Sequence, residues 1–110
     1  MRELCRLKEI FRAIYVFETT LKKRFRLSLN EALALCALEQ GEKNSRELAQ
    51  EIGISFSRMS RVLGSLEEKG LIKRTFGADD RRKMIFSLSH EGRRKIAELH
   101  DHRPALPLLP

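Results

Sequence analysis

Apolar residues recur at alternating three- and four-residue steps from Leu4 through Leu7, Phe11, Ile14, Leu21 and Phe25, interrupted only by Glu18. No Gly or Pro falls in this stretch, so the spacing predicts one helix over 3–25. Ile10, Ala13 and Phe17 widen the apolar stripe. A helix packed on one side only needs a narrower one. The width predicts a helix that touches both its own domain and a second chain, with Leu4, Leu7, Phe11, Ile14 and Leu21 as the expected dimer contacts. A central core helix is the alternative.

Further along, Ser28-x-x-Glu31 is a capping box, in which each side chain satisfies the other's free amide. It predicts a helix over 29–40 with Ala32, Leu33, Leu35, Cys36 and Leu38 on its apolar side and Gly41 at its end. Ser45 is the expected N-cap of a third helix, stopped at Gly53. Ser55 caps a fourth that runs to about Lys69, with Gly70 closing it. The segments "LIKRTF" and "KMIFSLS" flank the polar loop "GADDRR", and alternation is clearest at Met84, Phe86 and Leu88. That pattern predicts a hairpin. Ser89 caps a last helix over 90–102, and Pro104, Pro107 and Pro110 exclude regular helix from the tail.

The order is therefore α-α-α-α-β-β-α, mainly α with one small hairpin. Residues 1–103 form one domain and 104–110 a Pro-rich tail. Two helices joined by a short turn with Gly at its corner predict a helix-turn-helix over 45–69, followed by a wing over 72–88. Seven positions of the motif agree in register. Ala49 is small where the helices cross, and Gly53 tolerates a positive φ at the corner. Leu48, Ile52, Ile54, Met59 and Val62 are apolar where the angle between helices must be filled.

At about 100° per residue, Met59, Val62, Leu63 and Leu66 cluster on one side of the helix 55–69. The opposite side, at the N-terminal end, carries Ser57, Arg58, Ser60 and Arg61, with Ser55 at the cap. Glu67 and Glu68 sit at the far end. A recognition helix enters the major groove N-terminus first, and its dipole favours phosphate there. An arginine fork can bond G O6 and N7 together, worth about 1–3 kcal/mol of discrimination. Phe56 either lids the core or touches a thymine methyl, and core packing is the favoured reading. In the loop at 76–83, Arg81, Arg82 and Lys83 suit a narrow minor groove of concentrated negative potential. Asp80, two residues before Arg82, is placed to hold that guanidinium in one direction.

Charge sharpens this picture. The net charge is +7 over 110 residues. Residues 1–26 hold eight Lys/Arg against three acids, 27–54 two against five, 55–95 eleven against five, and 96–110 one against two. Such segregation suggests an anionic partner, most simply nucleic acid. No apolar run approaches the roughly 18 residues of a membrane span, and the mixed N-terminus is no secretory signal, so a cytoplasmic protein without membrane contact is expected. Cys36, inside "LALCAL", reads as a small buried hydrophobe. No metal-ligand spacing, Gly-rich phosphate loop, nucleophile elbow or poised carboxylate pair appears. An enzyme, a metal site and a cofactor are accordingly not expected.

Taken together, "SRELAQEIGIS", "MSRVLGSLEEKGLIKR" and above all "DDRRKMIFSLSHEGRR" resemble the MarR family of winged-helix transcription regulators, over about Leu27 to Leu99. The resemblance implies a homodimer whose N- and C-terminal helices intertwine, binding double-stranded DNA at a pseudo-palindromic operator, usually as a repressor. It implies that Asp80 and Arg82 are the wing pair, with Arg82 in the minor groove, and that Ser55 to Arg61 begin the recognition helix. Many members also take a small-molecule effector between the dimer and DNA-binding parts. The short C-terminal region here departs from the family pattern, which puts that pocket and the extent of the dimer interface in doubt. One branch senses hydroperoxides through an N-terminal cysteine; Cys5 lies near that place, but Tyr15 is the only tyrosine. Two alternatives remain open: a redox- or ligand-responsive member sensing through Cys5 or a dimer pocket, and a winged-helix protein-interaction module that binds no DNA.

Overall fold

A computed structural model describes residues 2–77 and 83–102 of the chain. Its elements follow the expected order: α1 (Arg2–Thr20), α2 (Leu29–Glu39), α3 (Ser45–Ile52), α4 (Phe56–Glu68), β1 (Ile72–Phe76), β2 (Met84–Leu88) and α5 (His90–His102).

The expected helix over 3–25 is present but changes its winding. Leu21–Phe25 form a π-helical turn continuous with α1 and closed by Arg26 in the left-handed region, φ 56°. The wider turn accompanies a change of environment. No residue of α1 itself is buried, whereas Leu21, Phe25 and Leu27 enter the core. Leu21 is wholly enclosed within its own chain. The expectation that it contacts a second chain is therefore corrected: its side chain has no surface left to offer. Ile14 is half-buried, while Leu4, Leu7 and Phe11 lie open.

The capping box at Ser28 and Glu31 starts α2, with Ser28 N donating to Glu31 Oε1 at 2.8 Å and Glu31 N to Ser28 Oγ at 3.1 Å. The buried face of α2 is Ala32, Ala34, Leu35, Ala37 and Leu38. Cys36 and Leu33 are exposed, which corrects the reading of Cys36 as a buried hydrophobe. In a run as uniformly apolar as "LALCAL", periodicity cannot choose the inward face; the small alanines, not Cys36, meet the neighbouring helices. The N-cap of α3 is Asn44 rather than Ser45, in a second reciprocal capping box with Glu47. Asn and Ser rank alike at this position, and only Asn44 stands three residues before a glutamate.

Between α3 and α4, Gly53 is the corner, φ 85°, its amide donating to Ala49 O at 2.8 Å. Leu48, Ala49, Met59, Leu63 and Leu66 are buried beneath it, with Ile52, Ile54 and Val62 packed against the same core. The strands pair antiparallel from Ile72 opposite Leu88 to Phe76 opposite Met84. Lys43 exchanges both backbone hydrogen bonds with Phe86, a one-residue third strand that ties the hairpin to the start of α3. Ser89 then joins hairpin to α5: its amide donates to Leu71 O at 3.0 Å, its hydroxyl to Gly70 O at 2.6 Å, and Gly92 N donates to Ser89 Oγ at 3.0 Å.

Candidate nucleic-acid interface

The N-terminal end of α4 stands out from this scaffold because its inward residues are fixed. Met59 and Leu63 are anchored in the core at 0% and 2% exposure. Helical geometry then turns Ser57, Arg58, Ser60 and Arg61 outward together, and all four are exposed. Ser55 Oγ accepts from Arg58 N at 3.1 Å. The hydroxyl proton of Ser55 stays available to an incoming acceptor. No acid lies in the first turn of α4, so nothing local opposes its positive end. Among the described residues, no ion pair engages Arg58 or Arg61.

Phe56 is 55% exposed, which corrects its favoured assignment to the core. Its ring stands at the rim of an open cleft of about 560 Å³ between α4 and the hairpin. Phe56, Ser60, Leu63 and Glu67 form the α4 wall of this cleft at helical spacing, and Lys83, Arg74 and Phe86 line the hairpin side. Ser60 and Lys83, expected from sequence to serve different grooves, therefore border one cleft. Asp80, Arg81 and Arg82 lie outside the described residues, and with them the expected Asp80–Arg82 pairing. The hairpin carries its pairing as far as Gly77, whose amide donates to Lys83 O at 2.8 Å.

Two ion pairs brace α4, one on the cleft wall and one at the far end of the helix. Arg74 on β1 grips both carboxylate oxygens of Glu67 on α4, with Nε to Oε2 at 2.7 Å and Nη2 to Oε1. Its guanidinium also lies 5.7 Å from the centre of the Phe86 ring. The Arg74 hydrogen bonds hold the Glu67 carboxyl below its usual value. At the C-terminal end of α4, Lys69 Nζ donates to both oxygens of Glu31, at 2.8 and 2.9 Å, and to Arg26 O at 2.7 Å. Ser65 Oγ adds a hydrogen bond to Glu31 Oε2 at 2.9 Å. Burial pushes the Glu31 carboxyl up; Lys69, the Ser28 amide and Ser65 more than offset it, and the group stays below the ordinary carboxylate value. Neither pair was anticipated. Glu31 was legible as a cap, but nothing in its spacing announced a partner 38 residues away.

A family model described as the MarR family matches residues 27–83, a little over half the chain. The chain belongs to the MarR family. The match spans both helices of the helix-turn-helix and most of the wing, so DNA-binding transcription regulation is the activity that goes with this architecture. Among solved structures, the transcriptional regulator BldR from Sulfolobus solfataricus is 26% identical with a TM-score of 0.83, over 91% of this chain and 73% of BldR. YusO from Bacillus subtilis is 25% identical with a TM-score of 0.76, over 96% of this chain and 76% of YusO. BpsR from Bordetella bronchiseptica, whose DNA binding is regulated by 6-hydroxynicotinic acid, shares the fold at 22% identity, TM-score 0.77, over 92% of this chain and 77% of its own. No curated protein sequence matches significantly.

This MarR-family chain leaves a long apolar stripe uncovered on α1. Leu4, Leu7, Phe11 and Tyr15 are 46–71% exposed along one face of the helix. Cys5 is exposed beside the stripe, and Tyr15 sits about 15 Å further along the helix at 1.5 Å per residue. A second open cleft, about 620 Å³, lies between α2, β2 and α5, where His100 Nε2 meets Glu39 Oε1 at 3.0 Å. Among the described residues, no helix is long and apolar enough to cross a membrane, and no group of three or more His, Cys, Asp or Glu is placed to hold a metal.

Proposed function

We propose that this protein is a sequence-specific transcriptional repressor that binds a pseudo-palindromic operator as a homodimer. The observation that carries this reading is the exposed cluster of Ser57, Arg58, Ser60 and Arg61 on a helix whose opposite face is locked into the core. Arg58 and Arg61 read base edges in the major groove, and Ser55, Ser57 and Ser60 bond phosphates or bases beside them. Lys83 and the loop residues Arg81 and Arg82 follow the adjacent minor groove, with Asp80 aiming Arg82.

The open stripe on α1 supports the homodimer. Leu4, Leu7 and Phe11, joined by Tyr15, form the patch a second copy covers, because a monomer rarely leaves so much contiguous apolar surface in water. Two-fold symmetry then sets the recognition helices about 34 Å apart, one turn of DNA. The cleft beside His100 offers a small-molecule effector a place between α2 and α5. The protein would act where the DNA is, in the cytoplasm.

A mobility shift with the full chain on duplexes from its own upstream region tests the reading. A discrete complex that resists mixed-sequence competitor and weakens steeply with salt is expected. No shift at low salt, with α1 still pairing two copies, would favour the protein-interaction module instead.

A further inference from the structure

The cleft between α4 and the hairpin poses a problem of charge. If α4 lies in the major groove and the hairpin loop in the adjacent minor groove, one sugar-phosphate strand separates them and must cross this cleft. Ser60, Arg46 and Lys83 on its borders suit such a strand. Glu67, on the α4 wall, does not, because a bare carboxylate facing phosphate is repulsive. Arg74 meets both Glu67 oxygens in the fork geometry that suits a planar guanidinium, and its guanidinium lies over the Phe86 ring. Its side chain remains 49% exposed, so the masked pair sits at the surface a strand would pass.

We propose that Arg74 is a charge-masking, positioning residue: by neutralising Glu67 inside the α4–hairpin cleft it lets a DNA phosphate strand pass there, without itself being a principal phosphate contact. The proposal rests on the DNA-binding reading above. It separates Arg74 from the wing arginines, which act on DNA directly. It also explains why a recognition helix tolerates an acid on the wall facing its wing.

A double-mutant cycle on the full chain tests it, using a fluorescein-labelled duplex of mixed sequence at several KCl concentrations. Arg74→Ala should weaken binding about tenfold by exposing Glu67, as expected for a like charge at an interface. Glu67→Gln should bind as well as the unaltered chain or about twofold tighter. The pair Glu67→Gln with Arg74→Ala should return to within about twofold of Glu67→Gln alone, since the two substitutions are coupled. Its salt dependence should match that of the unaltered chain, because no phosphate contact has been lost. Thermal melts establish that each variant is folded, and Arg74→Met, which keeps an apolar stem over Phe86, carries the same arm should Arg74→Ala unfold. A double variant as weak as Arg74→Ala, or with a shallower salt slope, would overturn the proposal and make Arg74 a direct phosphate contact or a purely structural clamp. Undiminished binding by Arg74→Ala would overturn it as well. Failure of the unaltered chain to bind any duplex at low salt would overturn the DNA-binding reading itself, and the proposal with it.

Discussion

Gly92 passes so close to Leu71 that a Cβ at its position would lie 2.0 Å from the Leu71 carbonyl oxygen. That oxygen is held in place by the amide of Ser89, 3.0 Å away. The obstacle is thus backbone, which cannot swing aside as a flexible side chain could. Ser89 therefore caps α5, and Gly92 lets the helix seat against the Leu71 backbone, just before β1. Gly92→Ala should cost about 3 kcal/mol, the upper end for overpacking a fitted site. At about 4–8 °C per kcal/mol, the melting temperature should fall by more than about 10 °C. An unchanged melting temperature would mean that α5 does not pass Leu71 this closely.

The Glu31–Lys69 pair predicts a pH-dependent stability. Glu31 is 5% exposed and its carboxyl is held below the ordinary value. A depressed acid contributes stability that is present above its unfolded value and is lost as pH falls through its folded value. The melting-temperature gap between the unaltered chain and Glu31→Gln should therefore be widest at neutral pH. It should narrow as pH falls below 4.5, the ordinary carboxyl value. Losing charge-assisted hydrogen bonds at a largely buried group costs about 1–3 kcal/mol, and the partial exposure of Lys69 keeps the expected loss toward the lower end. A gap constant from pH 7 to pH 3 would show that the carboxylate charge contributes nothing.

On α1, Phe11→Glu should convert a homodimer to a monomer while leaving the fold intact. Phe11 is 65% exposed in the single chain and no residue of α1 is buried there, so the substitution costs the monomer little. In a dimer it would bury an unpaired charge, a loss of several kcal/mol. Sedimentation velocity reads the outcome. A dimer unaffected by Phe11→Glu would move the interface away from this stripe.

Arg61→Ala should weaken operator binding by about 1–3 kcal/mol and relax the base preference at one position of each half-site. Competition between duplexes that differ at single positions measures both effects. Equal loss on every sequence would make Arg61 a phosphate contact; no loss would remove it from the groove.

Much of the molecule was legible in its sequence because the signals were local. Gly53, Ala49 and the apolar positions around them are a pattern within twenty residues, and a helix corner obeys it. The alternation of Met84, Phe86 and Leu88 is likewise local. What escaped was set by distant partners. The inward face of "LALCAL" depends on which neighbours pack against it, so Cys36 and Leu33 face outward against expectation. The enclosure of Leu21 depends on where the π-helical turn directs the chain. Phe56 is apolar yet lies at a cleft rim, a placement only the hairpin on the other side defines. Glu67–Arg74 and Glu31–Lys69 join elements whose approach no periodicity encodes.

Selecting bound sequences from a random DNA pool with the purified full chain shows whether α4 recognises a palindrome as part of a dimer. An inverted repeat with half-site centres about 10 base pairs apart should be enriched, and Arg61→Ala should lose preference within the half-sites. Enrichment of a single unrepeated site, or no enrichment at all, would contradict dimeric recognition through α4.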